Sequence, residues 1–336
     1  MRALAKKKTV YSRLGGFVIL ANLALSGCGA PEDQVGPAPP LGIVGHENPL
    51  MAVWETEFQV PPFDLIQSEH YLPAFREAMA MEKAEIEEIV NNPDPATFEN
   101  TILALERSGK YLTRVSRVFG AVNGAHTNDV LQETARTLAP ERAAHSDDII
   151  LNADLYARVK AVYEMQYELG LTPEEMKLLE ERNKNFVRSG ADLGDEAKAR
   201  LREINGELAE LSTQFGENVL NETNAYELYV TDTVDLGNLP ENLVALAASE
   251  ARNRGHDSGW SFTLQRPSIN PFLESSTNRE LRRNIFMGYA MRGDNGNEFD
   301  NKRILSRMAA LRAERAQLMG YPTHAHFIIS DNMAET

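Results

Sequence analysis

The 336-residue chain has a single cysteine, Cys28. An intrachain disulfide and a thiolate cluster for zinc are therefore excluded. Histidine offers little more. Of His46, His70, His126, His145, His256, His324 and His326, no two stand four apart, so the helical zinc motif H-E-x-x-H is missing. His46-Glu47 runs into Asn48-Pro49-Leu50, with no second histidine and a proline that spoils a helix. His324-Ala325-His326 would face one way on a strand, but it follows a helix stop and reads as a structural or solvated pair. No nucleophile elbow, glycine-rich phosphate loop or Cys–His arrangement is present. The acidic pairs Glu87-Glu88, Glu174-Glu175 and Glu180-Glu181 read as solvated helix faces or as N-terminal charges favoured by the helix dipole. Arg282-Arg283 reads as a surface ion-pair position. Positive charge is also in deficit: 34 Lys and Arg against 49 Asp and Glu give a formal charge of −15. Nucleic acid is an unsuitable partner for such a chain, because neutralising phosphates needs clustered Lys and Arg. The charge fits an acidic protein kept soluble by it, or one that draws in cations or cationic peptides.

What is present is the composition of a folded globular protein, 43% apolar and 25% charged, with length enough for two domains or one large one. Arg2, Lys6, Lys7, Lys8 and Arg13 precede an apolar run, Leu14 to Leu25, too short to span a bilayer as a helix and of the length a signal needs. It ends in Leu25-Ser26-Gly27-Cys28, which resembles the lipobox of bacterial lipoproteins. That resemblance implies cleavage of a signal at 1–27, lipidation of Cys28 and membrane anchoring by the acyl chains. Losing the five positive charges of the signal takes the formal charge from −15 to −20. Gly29, in place of an inner-membrane-retaining Asp, implies the periplasmic face of the outer membrane. The proline-rich stretch 28–61 is expected to be a partly extended tether, with Trp54 and Phe58 docking its far end on the folded body.

Between 96 and 266 the only prolines are Pro140, Pro173 and Pro240, so long helices are permitted. Phe75, Met79, Ile86 and Ile89 or Val90 outline one helix, with Glu82 as its polar exception. Phe98, Ile102, Leu105, Leu112, Val115, Phe119 and Val122 outline a second. Thr172-Pro173-Glu174-Glu175 opens another with a cap, a proline at the first position and a glutamate at the third. Leu201, Ile204, Leu208, Leu211, Phe215 and Val219 form the seam of a long helix buried within a bundle. Two strands are expected, one through Tyr226, Leu228 and Val230 and one through Trp260, Phe262 and Leu264, with a helix from Leu239 to Arg254 between them. Thr277-Asn278-Arg279-Glu280 reads as a capping box for a helix carrying Leu281, Ile285 and Tyr289. The last helix starts near Asp300, carries the stripe Ile304, Met308, Leu311 and Leu318, and stops at Gly320 and Pro322. Its stripe needs cover that the residues after it do not supply.

Several blocks, in order, resemble the M3 family of zinc oligopeptidases, in the branch of peptidyl-dipeptidases and oligopeptidase A. They are Glu69-His70-Tyr71-Leu72-Pro73-Ala74-Phe75, Thr97-Phe98-Glu99-Asn100-Thr101, Leu138-Ala139-Pro140 with Ala144-His145-Ser146-Asp147, and Leu211-Ser212-Thr213-Gln214-Phe215. Asn278-Arg279-Glu280-Leu281-Arg282, Leu311-Arg312-Ala313-Glu314-Arg315 and Gly320-Tyr321-Pro322 continue the series. The resemblance implies a mainly α fold: half of a multi-helix clamshell around a channel for short peptides, with a small β-containing insert over about 226–265, truncated before the zinc-binding helix. It divides the chain into signal 1–27, tether 28–61, N-terminal helical domain 62–224, small α/β insert 225–266 and the start of the catalytic domain at 267–336. In the family a zinc ion polarises the scissile carbonyl and activates water, with the glutamate of H-E-x-x-H as general base. Those elements lie in the second half of a family chain roughly twice this long, so no catalytic or zinc-ligating residue carries over to any position here. A metallopeptidase of dipeptidyl carboxypeptidase type is expected by family, and this polypeptide is expected to be inactive alone. It would be a piece of a longer lipoprotein peptidase, or one chain of a split enzyme with the catalytic half separate. The alternative is a non-catalytic helical lipoprotein that binds peptides or a partner chain.

Overall fold

Residues 43–44 and 46–334 are described by a computed structural model, and all belong to the unit that begins at Gly42. The helix outlined by Phe75 and Ile86 forms as α1, Tyr71–Val90. Tyr71, Phe75, Met79, Ile86 and Ile89 are its buried face, as the three-to-four spacing requires. Its polar exception is matched rather than solvated, since Glu82 Oε2 lies 2.7 Å from His145 Nε2.

The second expected helix is interrupted. A π-helical turn, Phe98–Leu103, leads into the short α2, Ala104–Arg107. Gly109 then takes a left-handed φ of 66° before α3, Lys110–Ala125. The Gly109 N–H donates to Glu85 Oε2 at 2.8 Å, which ties the break to α1. Next come α4, Asp129–Ile150, with Pro140 inside it, and α5, Ala153–Glu164. Asn128 and Asn152 cap these by accepting the Leu131 and Leu155 N–H groups, both at 2.9 Å. The helix α6, Pro173–Arg188, opens with the expected capping box: Thr172 Oγ1 accepts from the Glu175 N–H, and Glu175 accepts from the Thr172 N–H at 2.9 Å. The long seam becomes α7, Asp195–Ala225, 31 residues, packed within the bundle against α4.

One core joins α1, α3 and α4, with Phe75 and Phe119 edge to face at 5.4 Å. Leu50 and Met51 belong to this core, so the tether expected over 28–61 does not reach 61. One antiparallel pair, β1 (Ile43–Val44) on β2 (Val53–Trp54), brackets that segment. Trp54 docks as expected: its Nε1 donates to Pro49 O at 2.7 Å and the Arg114 guanidinium lies 4.4 Å over its ring. Phe58 does not dock; its side chain is 88% exposed at a positive φ. A second core joins the end of α1 to the Phe98–Leu105 segment, α5 and α6.

The two expected strands form as β3, Leu228–Val230, and β4, Trp260–Phe262, antiparallel with Leu228 opposite Phe262. Between them lies α8, Glu241–Asn253, closed by Gly255 at φ 88°. The apolar core of this unit does not close at 266. It takes in Ile269 and Phe272 of α9, Arg266–Ser275, and Ile285 of α10, Arg279–Ala290. The α10 cap is Asn278, whose Oδ1 accepts from the Glu280 and Leu281 N–H groups at 3.0 and 3.1 Å, not the Thr277 box. Thr277 instead turns its hydroxyl to Gly237 O at 3.5 Å.

The last long helix is α11, Lys302–Leu318. Asp300 accepts from the Lys302 N–H at 2.9 Å, and Gly320, at φ 79°, lets the Tyr321 N–H reach Ala316 O at 2.8 Å. Its stripe is covered from within the chain: Ile304, Met308 and Leu311 pack on Ile204 and Leu208 of α7. The short α12, His324–Ile329, is held by Arg188 of α6, which donates to Phe327 O and to Ser330 Oγ, each at 2.8 Å. The fold is mainly α, and no described helix is long and apolar enough to cross a membrane.

Candidate functional site

Helices α1, α2, α3, α4, α6 and α7 surround a concavity of about 900 Å³. Lys110, Thr113 and Arg117 present one stripe of α3 to it, at spacings of three and four. Arg142 and His145 come from α4 and Arg182 from α6. Two carboxylates line it, and both are engaged: Glu82 by His145 at 2.7 Å, and Glu106 by Arg182 in a close ion pair. Lys110, Arg117 and Arg142 have no carboxylate partner among the described residues, and the Arg142 guanidinium lies 5.3 Å over the Phe75 ring. The wall therefore carries unpaired positive charge in a chain whose formal charge is −15.

Gly109 sets this wall. A Cβ there would overlap the Glu82 carboxylate, and its positive φ is one that other residues adopt with strain. Gly109→Ala is expected to destabilise the fold by about 2 kcal/mol through strain and displacement of Glu82. Chemical denaturation of wild type and variant measures it; equal midpoints would mean that the turn relaxes freely.

The residues singled out in the sequence do not assemble a catalytic centre here. Leu25, Ser26, Gly27 and Cys28 lie outside the described residues. His46 pairs with Glu77 at 3.0 Å and His256 with Glu227 at 2.9 Å. His326 Nδ1 meets Thr323 Oγ1 at 2.7 Å. His324 sits apart from it, its ring 6.4 Å from that of Phe327. Burial, then the neighbouring Arg315 and Arg312, push the His324 imidazole below its usual value. Glu181 is held by Lys177 and Lys184, and Glu175 serves the α6 cap. Arg282 donates to the Ser276 backbone carbonyl rather than to a surface carboxylate. Among the described residues no three His, Cys, Asp or Glu side chains converge as a metal site. Sequence reading missed the cationic wall, although the seven-residue spacing of Lys110 and Arg117 was its one local sign.

Residues 272–336, which include α10, α11 and α12, match the model of peptidase family M3. Over 289 residues the chain is 39% identical to the dipeptidyl carboxypeptidase of Salmonella typhimurium, covering 86% of this chain and 42% of that protein. The dipeptidyl carboxypeptidase of Escherichia coli gives the same figures, 39% over 289 residues with 86% and 42% covered. Oligopeptidase A of Salmonella typhimurium is 29% identical over 292 residues, again with 86% of this chain and 42% of the relative covered. The chain thus spans about two-fifths of the length of these curated relatives. By these findings residues 272–336 match peptidase family M3, and most of the chain is similar to dipeptidyl carboxypeptidases and oligopeptidase A.

Proposed function

We propose that the protein is a metallopeptidase of dipeptidyl carboxypeptidase type that acts on short peptides in the cell envelope. In this reading it is anchored through lipidated Cys28, and the α1–α7 wall faces the peptide. The observation that carries this is the 39% identity to a dipeptidyl carboxypeptidase over 289 residues, which runs through the helices that build the cavity. A concavity of about 900 Å³ is within the range of small-ligand clefts. M3 peptidases are zinc-dependent, but the described residues do not fit that metal. The histidines nearest to carboxylates are paired one to one with Glu77, Glu82 and Glu227; the Ser261 hydroxyl also donates to Glu227, but among the described residues no third His, Cys, Asp or Glu joins any pair. No catalytic step is therefore assigned to zinc on these residues; they bind and orient.

The test is made on the product extracted with detergent from cell membranes. It should carry a lipid on Cys28 and release dipeptides from peptide C-termini in a chelator-sensitive manner. The polypeptide of residues 28–336, purified alone, should hold no stoichiometric zinc and cleave nothing. Zinc and chelator-sensitive hydrolysis in that polypeptide would overturn its assignment as a binding wall. One observation favours the non-catalytic reading: α7 covers the α11 stripe, so this seam needs no partner chain. Peptide binding by the membrane-extracted product without hydrolysis would select that reading.

A further inference from the structure

The cationic cavity has a consequence for which peptides are taken. Elsewhere in this acidic chain, several arginines are held by carboxylates: Arg76 by Glu141, Arg200 by Glu314 and Arg307 by Glu207, each at 2.6 Å. Lys110, Arg117 and Arg142 are not, although carboxylates outnumber cations 49 to 34. The carboxylates that share their cavity are already taken by His145 and Arg182. Four full cations against two carboxylates leave the lining with two net positive charges when His145 is neutral. Lys110 and Arg117 are two helical turns apart on one face of α3, about 10 Å along the axis. The Thr113 hydroxyl lies between them on the same stripe.

We propose that this cavity recognises acidic peptides, with Lys110, Arg117 and Arg142 receiving their side-chain carboxylates. The inference rests on the peptide-facing reading of the wall and adds the substrate class. Guanidinium groups receive carboxylates through paired N–H donors, and a concave wall of low polarisability concentrates the field of its cations. The negative charge over the rest of the molecule repels an acidic peptide, so attraction comes from the cavity, where Lys110, Arg117 and Arg142 gather on one concave wall without a carboxylate partner among the described residues. Selection is therefore local and strongly screened by salt.

The experiment measures fluorescence anisotropy of the full-length gene product with an extended peptide bearing three Glu and a neutral fluorophore. The same peptide with Gln at those positions is the comparison, and hydrolysis of both is followed in parallel. The Glu peptide should bind at least about tenfold more tightly. Added salt should erase the difference, and K110Q/R117Q/R142Q should reduce the Glu peptide to the affinity of the Gln peptide. Arg303→Gln, an exposed cation on α11 away from the cavity, should leave the preference intact. Equal binding of the two peptides, or a preference that persists in a triple variant with wild-type circular dichroism, overturns the proposal. If that happens while hydrolysis continues, the peptidase reading stands and the substrate class falls. If the Glu preference holds and depends on the three cations but neither peptide is cut, the peptidase reading falls and the cavity assignment stands.

Discussion

Glu222→Ala should cost the fold about 3 kcal/mol, because it strands polar groups that a single carboxylate now satisfies. Glu222 sits in the last turn of α7 and is only 7% exposed. One oxygen accepts from the Gly293 N–H; the other accepts from the Asn295 and Asn297 side-chain amides at 2.8 and 2.6 Å. Those three residues form the connection from α10 to α11. The same stretch of α7 holds the entry to α11 again, with Asn218 donating to Asn301 Oδ1 at 2.9 Å and Asn301 donating to Phe215 O at 3.1 Å. Burial pushes the Glu222 carboxyl up, but the three donors outweigh it and hold the group below the usual carboxylate range. A folded value below the unfolded one means that this stabilisation is complete above the unfolded pKa and fades as pH falls through the folded one. The stability gap between wild type and Glu222→Ala should therefore be full at neutral pH and close below about pH 4. Urea denaturation across that range measures it. A gap that stays constant with pH would show that the loss is one of packing rather than of a charged acceptor. Glu222→Gln should recover little, since its amide group turns two donors toward donors already present.

The helices that were legible in the sequence are those whose period and caps agree. Thr172 to Glu175 carries three signals for one start, and the α6 box follows. The stripes of α7 and α11 were legible separately, but not that each covers the other, because Ile204 and Leu311 are 107 positions apart in the chain. The break at Gly109 was hidden by apolar spacing that continues on both sides of it. It is fixed by Glu85 from another helix, and a glycine inside a periodic run does not announce its φ. Asn278 displaced Thr277 as cap because adjacent polar residues compete for the same N–H groups, and Thr277 turns toward Gly237. The tether was read too long because its proline content suggested extension. Leu50 is buried by the distant α1, α3 and α4, and its carbonyl is taken by Arg114. At the site, the absence of a zinc helix was plain in the order of residues, whereas the cavity exists only where α3, α4 and α6 meet. Net charge pointed toward cationic ligands; the local wall has the opposite sign, because a sum over the chain does not say where ion pairs leave cations unmatched.

Leu311→Ala should have the largest effect of any single apolar truncation on α11, about 3–4 kcal/mol. Leu311 is fully buried between Met308 and Ile304 of its own helix and Ile204 and Leu208 of α7. Removing its branched end loses transfer energy and leaves a void that two long packed helices cannot close without shifting along their length. The ion pairs beside the seam, Arg200 with Glu314 and Arg307 with Glu207, do not compensate. All four groups are solvent-facing, where such pairs contribute little net stability. Leu305→Ala is the matched control: the same truncation on the same helix, at a position 56% exposed, should change stability by no more than about 0.5 kcal/mol. Denaturant titration of both variants decides the matter. A shifted midpoint at constant slope for Leu311→Ala alone locates the shared core at the seam, while equal small shifts would mean that α7 and α11 do not pack as one unit. Because α11 lies within the segment that matches the M3 family, this seam fastens that segment to the helical wall. If the membrane-extracted product is the peptidase proposed above, its loss of hydrolysis in Leu311→Ala should then follow the unfolding transition on heating. Hydrolysis lost well below that transition would instead mean that the α7–α11 contact transmits position to the peptide site as well as stability.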